Sequence, residues 1–211
     1  MSREELQRED GEMDIKKIAK AFEKNNYQVS YFETAAAAAD YLDREINQTT
    51  VAFGDSQTLL SMDLYEKLSA HNMVYDPEHG EDFFKAAKDG MQAEFYVTSV
   101  NGATEDGILI NLDGTGNRVA GTLYGHRKVY LVFGTNKIEP DLEKALWRVR
   151  NVAAPKNALR KGLKTPCAYH GGDKCYDCSS SDRICNGLMI HFKKMRHEEM
   201  EVVLINEALG F

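Results

Sequence analysis

The chain has 211 residues, of which 43% are hydrophobic, with 33 acidic against 26 basic side chains and a formal charge of −7. That is enough apolar material for a substantial core in one large domain, and an acidic chain offers no electrostatic footprint for nonspecific nucleic-acid binding or for an anionic membrane surface. No apolar run reaches the length needed to span a bilayer and no apolar signal segment opens the chain, so a cytoplasmic location is expected.

Residues 1–12 are charged and are expected to fray. Ile15, Ile18, Ala19 and Phe22 then recur at the spacing of one helical face, which predicts a helix over 13–25. Short apolar runs predict strands at 28–32, 50–53, 73–75, 94–100, 108–112, 128–133 and 201–205. Helices are predicted over 34–46, 57–70, 82–91 and 141–152, the last with Pro140 at its start. Strands separated by helices of that length imply right-handed crossovers, and so an α/β fold with a mostly parallel sheet flanked by helices. The segment 153–187 is irregular and too long for an ordinary connection. It is read as a cysteine-bearing part of a single domain that spans 1–211.

Two segments at strand ends carry candidate binding chemistry. In Thr50-Val-Ala-Phe-Gly-Asp-Ser-Gln-Thr58 a strand runs through Gly54 into a helix and places Ser56 at its start, although Asp55 or Ser56 also serves there as an ordinary N-cap. In the second segment two turns, Glu105-Asp-Gly107 and Asp113-Gly-Thr-Gly-Asn117, flank one apolar strand. Asp-Gly pairs are hairpin signals. A hairpin alone does not call for Thr104, Glu105, Asn117 and Arg118, whereas a pocket for a small carboxylate or phosphate ester uses hydroxyl donors and a bidentate arginine. Neither a G-x-G-x-x-G nor a G-x-x-x-x-G-K-[ST] motif is present, so nicotinamide and ATP have no support. With no G-x-S-x-G either, hydrolase chemistry through Ser56 has little.

The four cysteines, Cys167, Cys175, Cys178 and Cys185, are spaced C-x7-C-x2-C-x6-C among Gly, Asp, Ser and Lys. Buried structural cysteines scatter among apolar residues, so this cluster is read as a thiolate site for zinc or an iron–sulfur cluster. The spacing matches neither a zinc ribbon nor a standard ferredoxin run, and leaves the metal open. A redox-active or free thiol set and structural disulfides are the alternatives, and His170 is a substitute ligand whose simpler role is a loop histidine facing water.

These residues resemble the LUD (lactate-utilisation) domain family in its short cysteine-bearing branch. The resemblance runs through Phe53-Gly-Asp-Ser-Gln-Thr58, Thr98-Ser-Val-Asn-Gly-Ala-Thr-Glu-Asp-Gly107, Asn111-Leu-Asp-Gly-Thr-Gly-Asn-Arg-Val119 and Val132-Phe-Gly-Thr-Asn-Lys-Ile138. It continues in Ala154-Pro-Lys-Asn-Ala-Leu-Arg160, Thr165-Pro-Cys167, the remaining cysteine motif and Leu204-Ile-Asn-Glu-Ala-Leu-Gly-Phe211. It implies an α/β fold related to sugar-phosphate isomerases and CoA transferases. It also implies a part in oxidising lactate to pyruvate beside iron–sulfur oxidoreductase partner proteins, with a small anion such as a hydroxy acid as ligand. Carried onto this chain, the anion-binding candidates are Ser56, Thr58, Thr104, Glu105, Asn117 and Arg118, joined by Asn136 and Lys137; Asn157 and Arg160 are read as helix surface or cap. Two other classes remain open: an enzyme acting alone on CoA or sugar-phosphate esters, and a non-catalytic binding or regulatory subunit.

Overall fold

The computed structural model describes residues 13–211, and the charged segment 1–12 lies outside them. Side-chain caps fix where several helices start. Helix α1, Ile15–Lys24, opens where the Asp14 carboxylate accepts from the Lys17 N–H at 3.0 Å, and it buries Ile18 and Phe22 on one face. Strand β1, Gln28–Phe32, leads to α2, Ala35–Glu45, which Thr34 caps in the same way. After β2, Thr50–Phe53, come α3, Gln57–Leu60, and α4, Leu64–Ser69. The sequence predicts one helix over 57–70; Asp63, at a left-handed φ of +49°, divides it.

Strand β3, Met73–Tyr75, and helix α5, Phe83–Gly90, bring the chain to β4, Phe95–Thr98. It then builds β5, Gly102–Thr104, β6, Leu109–Asp113, and helix α6, Asn117–Gly121, before returning as β7, Lys128–Gly134. A 3-10 turn over Thr135–Lys137 and β8, Ile138–Glu139, follow. Helix α7, Leu142–Arg148, passes through a π-helical turn, Val149–Ala153, into α8, Ala154–Arg160. The last elements are α9, Pro166–Tyr169, β9, Gly187–His191, and β10, Glu199–Ile205.

Six strands form a wholly parallel sheet in the order β1-β10-β7-β4-β2-β3. Parallel strands covered on both faces need apolar residues throughout, and every residue of β4 and β7 is buried. Alternate residues of β7 face opposite layers: Tyr130 and Val132 join the core beneath α2 and α4, while Val129, Leu131 and Phe133 pack with Ile18 and Phe22 of α1. A second, four-stranded sheet, β8-β5-β6-β9, stands beside the first and packs Ile110 against Ala145 and Val149. The predicted α/β fold with its parallel sheet is present. The second sheet is the addition that the sequence reading did not contain.

Candidate functional site

In an open parallel sheet, ligands bind outside the carboxyl ends of the strands where successive connections diverge. Here the chain leaves β2 toward β3 on one side, whereas it leaves β4 through the second sheet toward β7 on the other. The crevice between the ends of β2 and β4 is that point. Gly54 sits in it because any side chain would collide with Thr98 Oγ1, the Tyr96 hydroxyl and the Arg118 side chain. A cavity of about 40 Å³ there is lined by Ser56, Ser99, Asn101, Arg118, Lys137 and Asn157 among others. A neighbouring cavity of about 150 Å³ shares Asp55, Asn101, Arg118 and Asn157 with it, so the two form one cleft.

Lys137 closes the floor of the cleft. It is 4% exposed, and its Nζ lies 2.9 Å from Thr58 Oγ1, 3.0 Å from Ser99 Oγ and 3.1 Å from the Val100 carbonyl. No carboxylate touches it among the described residues. Burial, and then the Arg148 and Arg118 guanidiniums, hold its pKa well below the ordinary lysine value. Thr58 passes the network onward by donating to the Leu209 carbonyl at 3.2 Å.

Arg118 rises from α6 into the same cleft. The sequence reading assigned it a free bidentate fork, and the structure corrects that role. Its Nη1 donates to Asn111 Oδ1 at 2.6 Å and to the Ser99 carbonyl at 3.4 Å, and its Nη2 donates to Asn101 Oδ1 and the Leu112 carbonyl, both at 2.8 Å. All four acceptors are neutral, so the guanidinium keeps its full positive charge while its terminal nitrogens are occupied. The donors left for a ligand are amides and a hydroxyl: Asn101 Nδ2, Asn157 Nδ2 and the Ser56 O–H have no acceptor among the described residues. The Asn111 Nδ2, beside Arg118, is buried without a partner as well.

The acidic groups at the cleft are spent elsewhere. Burial alone would raise the Asp55 pKa, but Lys161 at 2.7 Å and Arg160 at 2.9 Å outweigh it and hold the carboxylate below its usual range. That pairing also straps α8 to the end of β2 and sets Asn157 over the cavity. The Asp113 carboxylate accepts from the Thr115, Gly116 and Val119 N–H groups at 3.0–3.1 Å and so turns β6 into α6. The Asp113–Asn117 turn is therefore a strand-to-helix corner and not a hairpin. A wider cavity of about 340 Å³ beyond β3 carries Asp76, Glu81, Asp82 and Asp89 against Lys85 and is unsuited to an anion.

Of the residues singled out from sequence, Ser56, Arg118 and Lys137 line the smaller cavity, Asn117 lines the larger one, and Thr58 lies beneath Lys137. Thr104, Glu105 and Asn136 do not reach the cleft. Thr104 Oγ1 bonds Asp106 and accepts from the Ile108 N–H, which fixes the β5–β6 turn. Glu105 pairs by its backbone with Glu139, and Asn136 uses its side chain to anchor Leu209 N and its carbonyl to hold Arg148. The reading from sequence passed over Ser99 and Asn101 and placed Asn157 on a helix surface. Ser99 and Asn101 follow a strand end, the position at which the sheet rule directs attention.

The cysteine-bearing segment forms one wall of the cleft through Ile184, while Asn186 N donates to the Asp113 carbonyl at 3.0 Å. The four thiols are unpaired and half-buried. Cys175 Sγ accepts from the Asp177 N–H at 3.3 Å and faces Arg150 Nη2 at 3.8 Å, and its own N–H donates to Asn151 of the π turn at 3.3 Å. Burial pushes the Cys185 thiol up; Arg183 opposes this, and Cys175 and Cys178 add to it. Cys167 Sγ lies 3.2 Å from Thr165 Oγ1. Among the described residues no three His, Cys, Asp or Glu side chains converge closely enough to hold a metal ion. The thiols supply the right donor atoms but do not stand as a closed shell.

The model of the LUD domain matches residues 15–205, and the chain belongs to that family. Membership supports a lactate-utilisation-related role at the level of the family. Among solved structures the chain is similar to the crystal structure of a DUF162 family protein from Deinococcus radiodurans, determined at 1.70 Å. The two share 12% identity and a TM-score of 0.54, over 97% of this chain and 99% of that one, a likeness of fold alone. No curated protein matches. No helix among the described residues is long and apolar enough to cross a membrane.

Proposed function

We propose that the cleft binds a small carboxylate, a hydroxy acid or its keto counterpart, and that the protein is a cytoplasmic accessory or electron-transfer component in the oxidation of lactate to pyruvate. The observation that carries the reading is the pair Lys137 and Arg118, two basic side chains at the strand ends with no carboxylate among the described residues in contact with either. Unpaired amide donors beside them complete a surface that an anion with several acceptor oxygens fills. The clustered thiols, with the Asp177 N–H already on Cys175 Sγ, are read as ligands for zinc or an iron–sulfur cluster; closing the shell requires Cys167, Cys175, Cys178 and Cys185 to draw together. A cluster would supply a one-electron relay, and oxidation of the hydroxy acid itself would fall to an iron–sulfur oxidoreductase partner.

Titration calorimetry with lactate and pyruvate tests the pocket: Arg118→Ala is expected to weaken binding tenfold or more, through loss of the charge and of the Asn101 orientation. Anaerobic purification and metal analysis test the thiols, with stoichiometric iron or zinc expected and lost in Cys175→Ser. Sustained pyruvate formation from lactate by the isolated chain with an artificial acceptor would overturn the accessory role. Co-purified CoA would favour a transferase instead.

A further inference from the structure

A carboxylate pocket explains positive charge at the cleft but not why the buried residue is a lysine. Arginine keeps its charge under all protein conditions, whereas a lysine amine removed from water sheds its proton and becomes a nucleophile. Every partner of Lys137 Nζ is neutral: it donates to Thr58 Oγ1, to Ser99 Oγ and to the Val100 carbonyl, while the Ser99 hydroxyl donates onward to Thr58 Oγ1 at 3.3 Å and Thr58 to the Leu209 carbonyl. Burial, and then the charges of Arg148 and Arg118, disfavour the ammonium, and among the described residues no carboxylate touches it. The residue also lines the cavity that Arg118, Asn101 and Ser56 surround, the space a bound 2-oxo acid would occupy.

We propose that Lys137 is a catalytic amine that condenses with the keto carbon of a 2-oxo acid held in this cleft. The inference rests on the carboxylate-pocket reading and extends it. The Nζ lone pair forms a bond to the carbonyl carbon while the C–O π pair moves to oxygen, which takes a proton. The carbinolamine then loses its nitrogen proton and its hydroxyl as one water, leaving a C=N bond. No oxidant or reductant is consumed, and hydrolysis reverses the step. Ser99, whose Oγ lies 3.0 Å from Nζ and which lines the cavity, is the hydroxyl placed to move the proton, and an imine so formed would hold the keto acid or activate its neighbouring carbon.

The test is to incubate the full chain with pyruvate and sodium cyanoborohydride, map the product by peptide mass spectrometry, and in parallel measure pyruvate binding without reductant by calorimetry. The expected product is a gain of one pyruvate less one oxygen at Lys137 alone, absent with lactate, which has no carbonyl, and absent in Lys137→Arg. If that variant does not fold, the position of the label in the unaltered chain decides. Pyruvate binding without label would overturn the imine and leave the carboxylate pocket standing. Absence of both would overturn the pocket reading and the imine with it. Label spread over surface lysines would count against Lys137.

Discussion

Replacing Lys137 with methionine is expected to change how stability depends on pH more than it changes stability at any one pH. In the unfolded chain the amine titrates near 10.5, and in the folded protein burial and two guanidiniums hold it well below that. Between the two values the unfolded state binds one more proton than the folded state, so stability rises with pH by about 1.4 kcal/mol per unit from this residue. Below the folded value the full penalty is present, and above 10.5 it is gone. Lys137→Met removes that slope. The variant also strips the Val100 carbonyl of its N–H partner at a cost of about 1–3 kcal/mol. That loss does not vary with pH and shifts the curve without tilting it. Ser99 and Thr58 do not titrate. Other ionisable groups are common to both proteins and cancel in the difference. Urea denaturation of both proteins between about pH 6 and pH 10 is the assay. The stability gap should move in favour of the natural chain as pH rises above the folded value toward 10.5. Parallel curves would mean that Lys137 is charged in the fold and would refute the neutral amine.

Glu201 accepts from Ser30 at 2.6 Å and Tyr41 at 2.7 Å and pairs with Lys128 at 2.6 Å, with side chains 3% and 10% exposed. Glu201→Gln strands Lys128 inside the sheet and is expected to lower stability by about 3–5 kcal/mol in urea denaturation, with a loss under about 1 kcal/mol counting against the pairing. His126 bonds the Ala93 carbonyl through Nδ1 at 2.7 Å and leaves Nε2 buried and unpartnered, and His191 leaves Nδ1 so. Burial lowers both pKa values despite those backbone bonds. As pH falls below the ordinary 6.5 the unfolded chain takes up these protons first, so stability is lost on acidification toward the folded values. Nitrogen chemical shifts of the two imidazoles should titrate below 6.5, and ordinary midpoints would sink the argument.

The parallel sheet was legible because its central strands are covered on both faces and therefore read as unbroken apolar runs, as in Val51, Ala52 and Phe53 or Val129 through Phe133. The second sheet was not legible. Gly102–Thr104 and Ile138–Glu139 are too short to show a period, and they are strands only through their pairing, β5 between β6 and β8 and β8 on β5 alone. The helix expected over 141–152 instead runs on through the π turn into α8, where Pro155 stands in the first turn and its missing N–H leaves no bond unmade.

The same topology decides which of the candidate residues meet. Thr104 and Glu105 lie only a few residues beyond Ser99, yet β5 carries them into the second sheet, where they pair with β8. Arg118 is farther along the chain, and the Asp113 corner swings α6 back until its guanidinium bonds the Ser99 carbonyl. Proximity in sequence therefore points to the wrong pair, and only the excursion between β4 and β7 brings 99, 101, 118 and 137 to one crevice. Lys137 is the extreme case. A lysine after a strand reads equally as surface or as site from sequence, and the 3-10 turn folds this one under Ser99 and Thr58. Residues 209 and 210 close over it, where a Cβ on Gly210 would stand 2.7 Å from Thr58 Oγ1 and 3.3 Å from the amine. Its burial is a property of the assembled layers, and so is the chemistry proposed for it.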